Sequence, residues 1–298
     1  MSKVIFLFIR IPLYLISLLP LRVHYLFSDI FVLIVCRIFG YRRSVIITNI
    51  SRAFPKYKYD EIDKIVKQFY KHFAQVIAEC IWMISASAKE IGEMVECENP
   101  ELLKSLYLQG KSAIIVGGHT GNWESYSRHY FFKNIEQLGF KKSNNRFAYK
   151  KIKSPWADTL MKWIRHDMKE EILVESNSLA RFIYKNQDKQ LCYYMLADQS
   201  PLPGSKFAVD FLNQQTLMMN GPEIISKIVG FPVLYFALER LSRGRYSIKY
   251  SLITDNPKEC EDGFITQKFA SLLEETIKSR PADWLWSHKR WKRSPEEN

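Results

Sequence analysis

The stretch Ser112-Ala113-Ile114-Ile115-Val116-Gly117-Gly118-His119-Thr120-Gly121-Asn122-Trp123-Glu124 joins a short apolar run to two glycines, a histidine and, five residues further on, a glutamate. The run Ser112 to Val116 follows Gly110 and stops at Gly117-Gly118, which reads as a buried strand bounded by turn signals. On a continuous helix a separation of five residues is roughly 140° of rotation, so His119 and Glu124 would not meet there. The glycines permit a sharp turn instead. A strand ending at His119, turning at Gly121 and entering a helix from about Asn122 can return the carboxylate toward the imidazole. This strand–turn–helix unit makes an α/β protein the expectation, with the His and the Glu at the mouth of a sheet.

The rest of the chain agrees with that class. Between Asp60 and Met83, apolar residues at Ile62, Ile65, Val66, Phe69, Phe73, Val76 and Ile77 keep a helical period, with Asp60 as N-cap. Further strands are expected at Leu191–Leu196, Phe207–Phe211, Pro232–Leu238 and Arg245–Ile253. Helices are expected at Pro155–Met168, Ser178–Lys185, Gly221–Val229 and Glu261–Ser279. The last places Ile265, Phe269, Leu272, Leu273 and Ile277 on one face. Helices alternating with short apolar strands imply a mixed sheet flanked by helices. There is no repeat, no low-complexity tract and no Gly/Ser/Pro-rich linker.

Residues 4 to 37 stand apart. They are strongly apolar, interrupted by Arg10, Arg22 and Asp29 and punctuated by Pro12 and Pro20. Val4 to Leu21 is about as long as a spanning helix needs to be, although Arg10 would be costly near a bilayer centre. Through residue 53 there are seven Lys and Arg and one acid, Asp29. Apolar faces edged with basic residues suit a helix lying among headgroups or a short span with cytoplasmic flanks. A pair of buried helices is the alternative. The expected division is a membrane-associating N-terminal helical segment over residues 1–40 and one large domain over 41–298.

The 298 residues carry 43 Lys and Arg against 31 Asp and Glu, a formal net charge of +12. Six basic residues (Lys141, Lys142, Arg146, Lys150, Lys151, Lys153) and no acid lie between Lys141 and Lys153, and the tail adds Lys289, Arg290, Lys292 and Arg293. Such a balance attracts anionic partners: nucleic acid, lipid headgroups, phosphorylated substrates or an acidic carrier protein. No nucleic-acid recognition motif accompanies it. Five cysteines, odd in number and without a C-x-x-C pair, argue against a disulfide framework or zinc knuckle and suit core positions.

No protein nucleophile accompanies His119. Ser125 and Ser127 lie nearby, but there is no G-x-S-x-G elbow. The six histidines show neither H-E-x-x-H nor another metal-ligand spacing, so neither a metal nor a bound cofactor is expected. A His–carboxylate pair without a nucleophile suits activation of a substrate hydroxyl for direct attack on an activated acyl group, with Glu124 orienting the ring and balancing its charge.

The H-x-x-x-x-E box resembles the H-x-x-x-x-D/E motif of the glycerolipid acyltransferases. In its form Gly-His-Thr-Gly-Asn-Trp-Glu it is similar to that of the bacterial lipid A late acyltransferases, the lauroyl/myristoyl transferase family. Gly40-Tyr41-Arg42-Arg43 with Asn49-Ile50 and Ala53-Phe54-Pro55, Leu196-Ala197-Asp198-Gln199, and Trp284 through Trp291 resemble further boxes of that family in order and spacing, from about residue 20 to 293. One departure is Tyr149-Lys150-Lys151, where the family often has Tyr-Arg-Pro. The resemblance implies a glycerolipid-acyltransferase-like fold and transfer of a fatty acyl chain from acyl-carrier protein to a hydroxyl of a lipid A precursor. It places that reaction at the cytoplasmic face of the inner (plasma) membrane. It adds Arg165 and Asp198 as substrate-binding residues: Arg165 to polarise the thioester carbonyl or hold a phosphate, Asp198 to bind the acceptor sugar or order Arg165.

The expected mechanism is a single displacement with His119 as base, and Trp123, Tyr126, Phe131 and Phe132 are candidates for an acyl groove. The same chemistry on a phospholipid, glycolipid or aminolipid, or with acyl-CoA as donor, is the nearest alternative. A catalytically silent lipid-binding or scaffold protein is another.

Overall fold

A computed structural model describes residues 2–37, 39–131, 133, 137, 139–165, 172–203, 205, 207–293 and 295. In chain order the elements are α1 (Ser2–Ser17), α2 (Leu21–Arg37), α3 (Arg43–Ala53), α4 (Tyr59–Trp82), α5 (Ala88–Met94), β1 (Val95–Cys97), α6 (Pro100–Leu108) and β2 (Ala113–Gly117). A 3₁₀ segment (Trp123–Phe131) follows, then β3 (Asn145–Tyr149), α7 (Pro155–Ile164), β4 (Leu173–Glu175), α8 (Leu179–Lys185) and β5 (Cys192–Leu196). The chain ends with β6 (Ala208–Phe211), β7 (Gln214–Leu217), α9 (Gly221–Val229), β8 (Val233–Ser242), β9 (Arg245–Thr254) and α10 (Phe264–Ser279).

Seven strands form one sheet in the order β1-β9-β8-β2-β5-β3-β4, and β6 and β7 form a separate hairpin. Every neighbouring pair in the large sheet is parallel except β8 with β9, so the expected mixed sheet is present. β2 lies inside the sheet, with Gly117 opposite Leu196 of β5 and Phe236 of β8. Its side chains alternate between the two faces, as a strand requires. Ile114 and Val116 join a core with residues of α3, α4, α8 and α10. Ala113 and Ile115 join another with residues of α5, α6 and the 3₁₀ segment. A strand covered on both faces reads as an unbroken apolar run, which is how Ser112–Val116 reads.

Some expectations change in detail. α4 begins at Tyr59, so Asp60 sits in its first turn; the Glu61 carboxylate accepts from the Lys58 N–H at 2.8 Å and ties down the helix entrance. The helix expected from Asn122 is the tighter 3₁₀ segment. α7 ends at Ile164 with Arg165 as its C-cap, and residues 166–168 of the expected helix lie outside the described residues. β3 lies inside the basic cluster between Lys141 and Lys153 and is not among the strands expected from the sequence; its Asn145, Phe147 and Tyr149 are buried.

The apolar N-terminus is two helices, broken at Leu18–Pro20 and bent by 116°. Pro20 opposes a continuous span from Val4 to Leu21, because the residue before a proline is pushed out of the helical region. No single helix among the described residues is long and apolar enough to cross a membrane; the bent pair meets that criterion only together. Both helices rest on the body: α2 against α4, α1 against α4 and α7. Their outer faces leave Phe8 (76% exposed), Leu15 (60%), Leu26 (61%) and Phe27 uncovered.

Candidate active site

β2 delivers Gly117, Gly118 and His119 to its C-terminal end, where open α/β sheets place ligands. The two glycines are needed for close packing. A Cβ on Gly117 would lie 2.3 Å from the Phe236 ring, and one on Gly118 would lie 2.5 Å from Leu273 and 3.3 Å from Asp198. Gly121 makes the turn, with φ of +55°, and a Cβ there would lie 2.6 Å from the Leu238 carbonyl oxygen. The loop is held from below by the C-terminal segment: the Leu285 N–H donates to the His119 carbonyl (3.1 Å), and the Gly121 N–H donates to the Asp283 carbonyl (3.1 Å).

The carboxylate that meets the imidazole is that of Asp198. One of its oxygens lies 2.6 Å from His119 Nδ1; the other accepts the His119 backbone N–H and the Trp284 indole N–H, both at 2.8 Å. Because an ionised carboxylate only accepts, Nδ1 carries the proton and Nε2 is left with its lone pair. The Gln199 amide nitrogen sits 3.3 Å from Nε2. Burial opposes charge on both partners, but their mutual attraction and hydrogen bonding prevail. His119 is held above the usual 6.5, with Glu124 adding to the effect, and Asp198 is pulled down to about 2.

Glu124 therefore does not orient the ring as its spacing suggested. It enters a 3₁₀ turn rather than the first turn of an α-helix, and its carboxylate faces the C-terminus of α7. There it pairs in bidentate fashion with Arg165, Nε to Oε2 at 2.9 Å and Nη2 to Oε1 at 2.7 Å. Burial would raise the Glu124 pKa, but the guanidinium, assisted by His119, brings it below the ordinary carboxylate range. Asp198 likewise does not order Arg165, since His119 and Trp284 occupy it.

His119 and the Glu124–Arg165 pair line a cavity of about 110 Å³, whose other walls include Tyr126, Tyr194 and Phe236. Trp123 and Tyr126, two of the groove candidates, line it. The side chain of Phe131 and all of Phe132 lie outside the described residues. Cys80, Cys97, Cys192 and Cys260 are free thiols, Cys97 and Cys192 in the core.

Sequence reasoning missed two members of the site. Trp284 holds Asp198, and His288 accepts the Ser200 N–H at 3.2 Å, fixing the turn after Asp198. Their signal was the Trp-rich C-terminal run, whose partners lie more than 80 residues away in the chain.

Residues 2–293 match the family described as "Bacterial lipid A biosynthesis acyltransferase". The chain belongs to that family. It is thus an acyltransferase of lipid A biosynthesis, as the boxes around His119, Asp198 and Trp284 implied. Among curated proteins it is 20% identical over 259 residues to the "Lipid A biosynthesis palmitoleoyltransferase" of Escherichia coli (strain K12), covering 85% of this chain and 80% of that one. It is equally similar to the "Lipid A biosynthesis acyltransferase" of Shigella flexneri, over the same shares. The family thus extends over both N-terminal helices and the C-terminal segment that braces the site.

Proposed function

We propose that the enzyme transfers a fatty acyl chain from an acyl-carrier-protein thioester to a hydroxyl of a lipid A precursor by single displacement, with His119 as base. The observation that carries this reading is His119, held by Asp198, at the rim of an apolar cavity with the Glu124–Arg165 pair beside it; among the described residues that line this cavity there is no serine, threonine or cysteine. His119 Nε2 takes the proton of the acceptor hydroxyl while the oxygen forms a bond to the thioester carbonyl carbon. Asp198 stabilises the imidazolium that results. Arg165, fixed by Glu124, stabilises the developing oxyanion. Collapse breaks the carbon–sulfur bond, and the imidazolium returns the proton to the departing thiolate.

The cavity's aromatic walls suit the acyl chain. The exposed Lys150, Lys151 and Lys153 follow directly on β3, whose Phe147 and Ala148 line that cavity. This placement suits an acidic carrier docking beside the site rather than a donor recognised only by its acyl chain. The uncovered apolar faces of α1 and α2 suit seating of the enzyme at the cytoplasmic face of the inner membrane, where a lipid acceptor is found.

The test is mass spectrometry of products from the purified protein, given carrier-protein thioesters of several chain lengths and a panel of lipid acceptors. Acylated lipid A precursor is the expected product. Transfer only to phospholipid, or only from acyl-CoA, would replace the acceptor or the donor in this reading.

A further inference from the structure

Among the buried polar side chains of α4, His72 and Glu79, about two helical turns apart, both reach the loop between β2 and the 3₁₀ segment. His72 Nε2 lies 3.0 Å from the Gly121 carbonyl and donates to it. Glu79 is fully buried, and its carboxylate accepts three hydrogen bonds. The Tyr25 hydroxyl donates to Oε1 at 2.7 Å; the Asn122 amide and the Tyr246 hydroxyl donate to Oε2 at 2.7 and 2.8 Å. Asn122, also fully buried, closes the turn that separates His119 from Glu124. Its side-chain oxygen accepts the Ser125 N–H and its carbonyl accepts the Ser125 hydroxyl.

Tyr25 belongs to α2, one of the two helices with an uncovered apolar face. Its ring lies 4.3 Å from the Arg243 guanidinium, which also donates to the Tyr25 carbonyl and to Asp29. Gly244, at φ of +73°, leaves the space its hydroxyl fills; a Cβ there would lie 2.4 Å from it. α1 makes a second approach. It packs on α7, with Arg10 5.4 Å over the ring of Trp163, two residues before Arg165.

We propose that the N-terminal helix pair is part of the catalytic scaffold: the relay Tyr25–Glu79–Asn122 makes the shape of the His119–Glu124 loop depend on how α2 is seated. Glu79 is the positioning residue of that relay. Tyr25 is the donor to Oε1, so its loss leaves a buried carboxyl oxygen without its partner, and the group must turn toward another donor. Such a turn disturbs the bonds of Oε2 to Asn122. Seating α2 at a membrane then sets turnover as well as location. The turnover part rests on the acyl-transfer reading; the loop geometry can be measured without it.

The test uses the full-length protein in phospholipid nanodiscs, with Tyr25→Phe, which keeps the ring and its packing, and Glu79→Gln. Hydrogen exchange is followed across residues 117–126 and across α10, together with kcat and KM for a carrier-protein thioester. The expected result for Tyr25→Phe is exchange faster by about tenfold in 117–126 and unchanged in α10, with kcat lower by about tenfold and KM unchanged. Glu79→Gln should go further in the same direction. Unchanged exchange in 117–126 overturns the relay, and faster exchange everywhere reduces it to general stability. Faster loop exchange with normal kcat removes its bearing on turnover. If the wild type transfers no acyl group, the function proposed above has failed, and the exchange measurement still decides the relay.

Discussion

Two carboxylates in different surroundings control the charge around His119. Asp198 faces the imidazole and an indole N–H, whereas Glu124 faces a guanidinium. The base form of His119 is the reactive one and its pKa lies above 6.5, so the acid limb of kcat/KM should sit above pH 6.5. Asp198→Asn removes the charge that favours the imidazolium. The limb should then move to lower pH while kcat falls, and a pH–rate profile measures both. A limb that stays in place would show that another group titrates. His119→Ala should lower kcat by roughly 10²–10⁴-fold, with folding and membrane association unchanged. For Glu124 and Arg165 the pairing predicts non-additivity: Glu124→Gln and Arg165→Lys should each cost activity, and the double variant little more than the worse single one. A double-mutant cycle on kcat/KM checks this. His119 and Glu124 were legible from residue type and spacing, and Arg165 and Asp198 from resemblance. Which carboxylate served which cation was not, because Asp198 comes 79 residues after His119 and only the β2–β5 pairing brings them together.

At the scale of elements, the site depends on strands and helices approaching closely around β2. Gly118→Ala should cost about 1–3 kcal/mol of stability, because its Cβ would overlap Leu273 of α10 and press on Asp198. Thermal or denaturant unfolding measures the loss, and full stability would mean that α10 yields more readily than its packing suggests. The strongly periodic elements were legible, among them α4, α9, α10 and the strands β2, β5, β8 and β9. β3 was hidden, since Arg146 and its basic neighbours mask an alternation visible only when Phe147 and Tyr149 find the core. The 3₁₀ turn after Asn122 was hidden as well. The buried partners of Asn122 and Gly121, Glu79 and His72, belong to a helix more than 40 residues earlier and shape that turn from outside.

For the whole molecule, the body and the N-terminal helices are in contact, and their outer apolar faces are open to solvent. Exposed Leu15 and Leu26 should enter the headgroup–acyl boundary. Replacing both with Glu should weaken binding to anionic vesicles by at least about tenfold while the melting temperature holds, since burying one leucine is worth about 1.5–3 kcal/mol. Co-sedimentation measures this, and unchanged binding would place the membrane contact elsewhere. Residue order along the chain was enough to establish the α/β class, the periodic helices, the family and the His119 box, because these depend on local periodicity and short motifs. The Asp198–His119 and Glu124–Arg165 pairings and the reach of Tyr25 toward Asn122 were decided only by the tertiary structure. Each joins groups distant in the chain, and hydrogen bonds between buried charges form only where packing brings their partners together and excludes water.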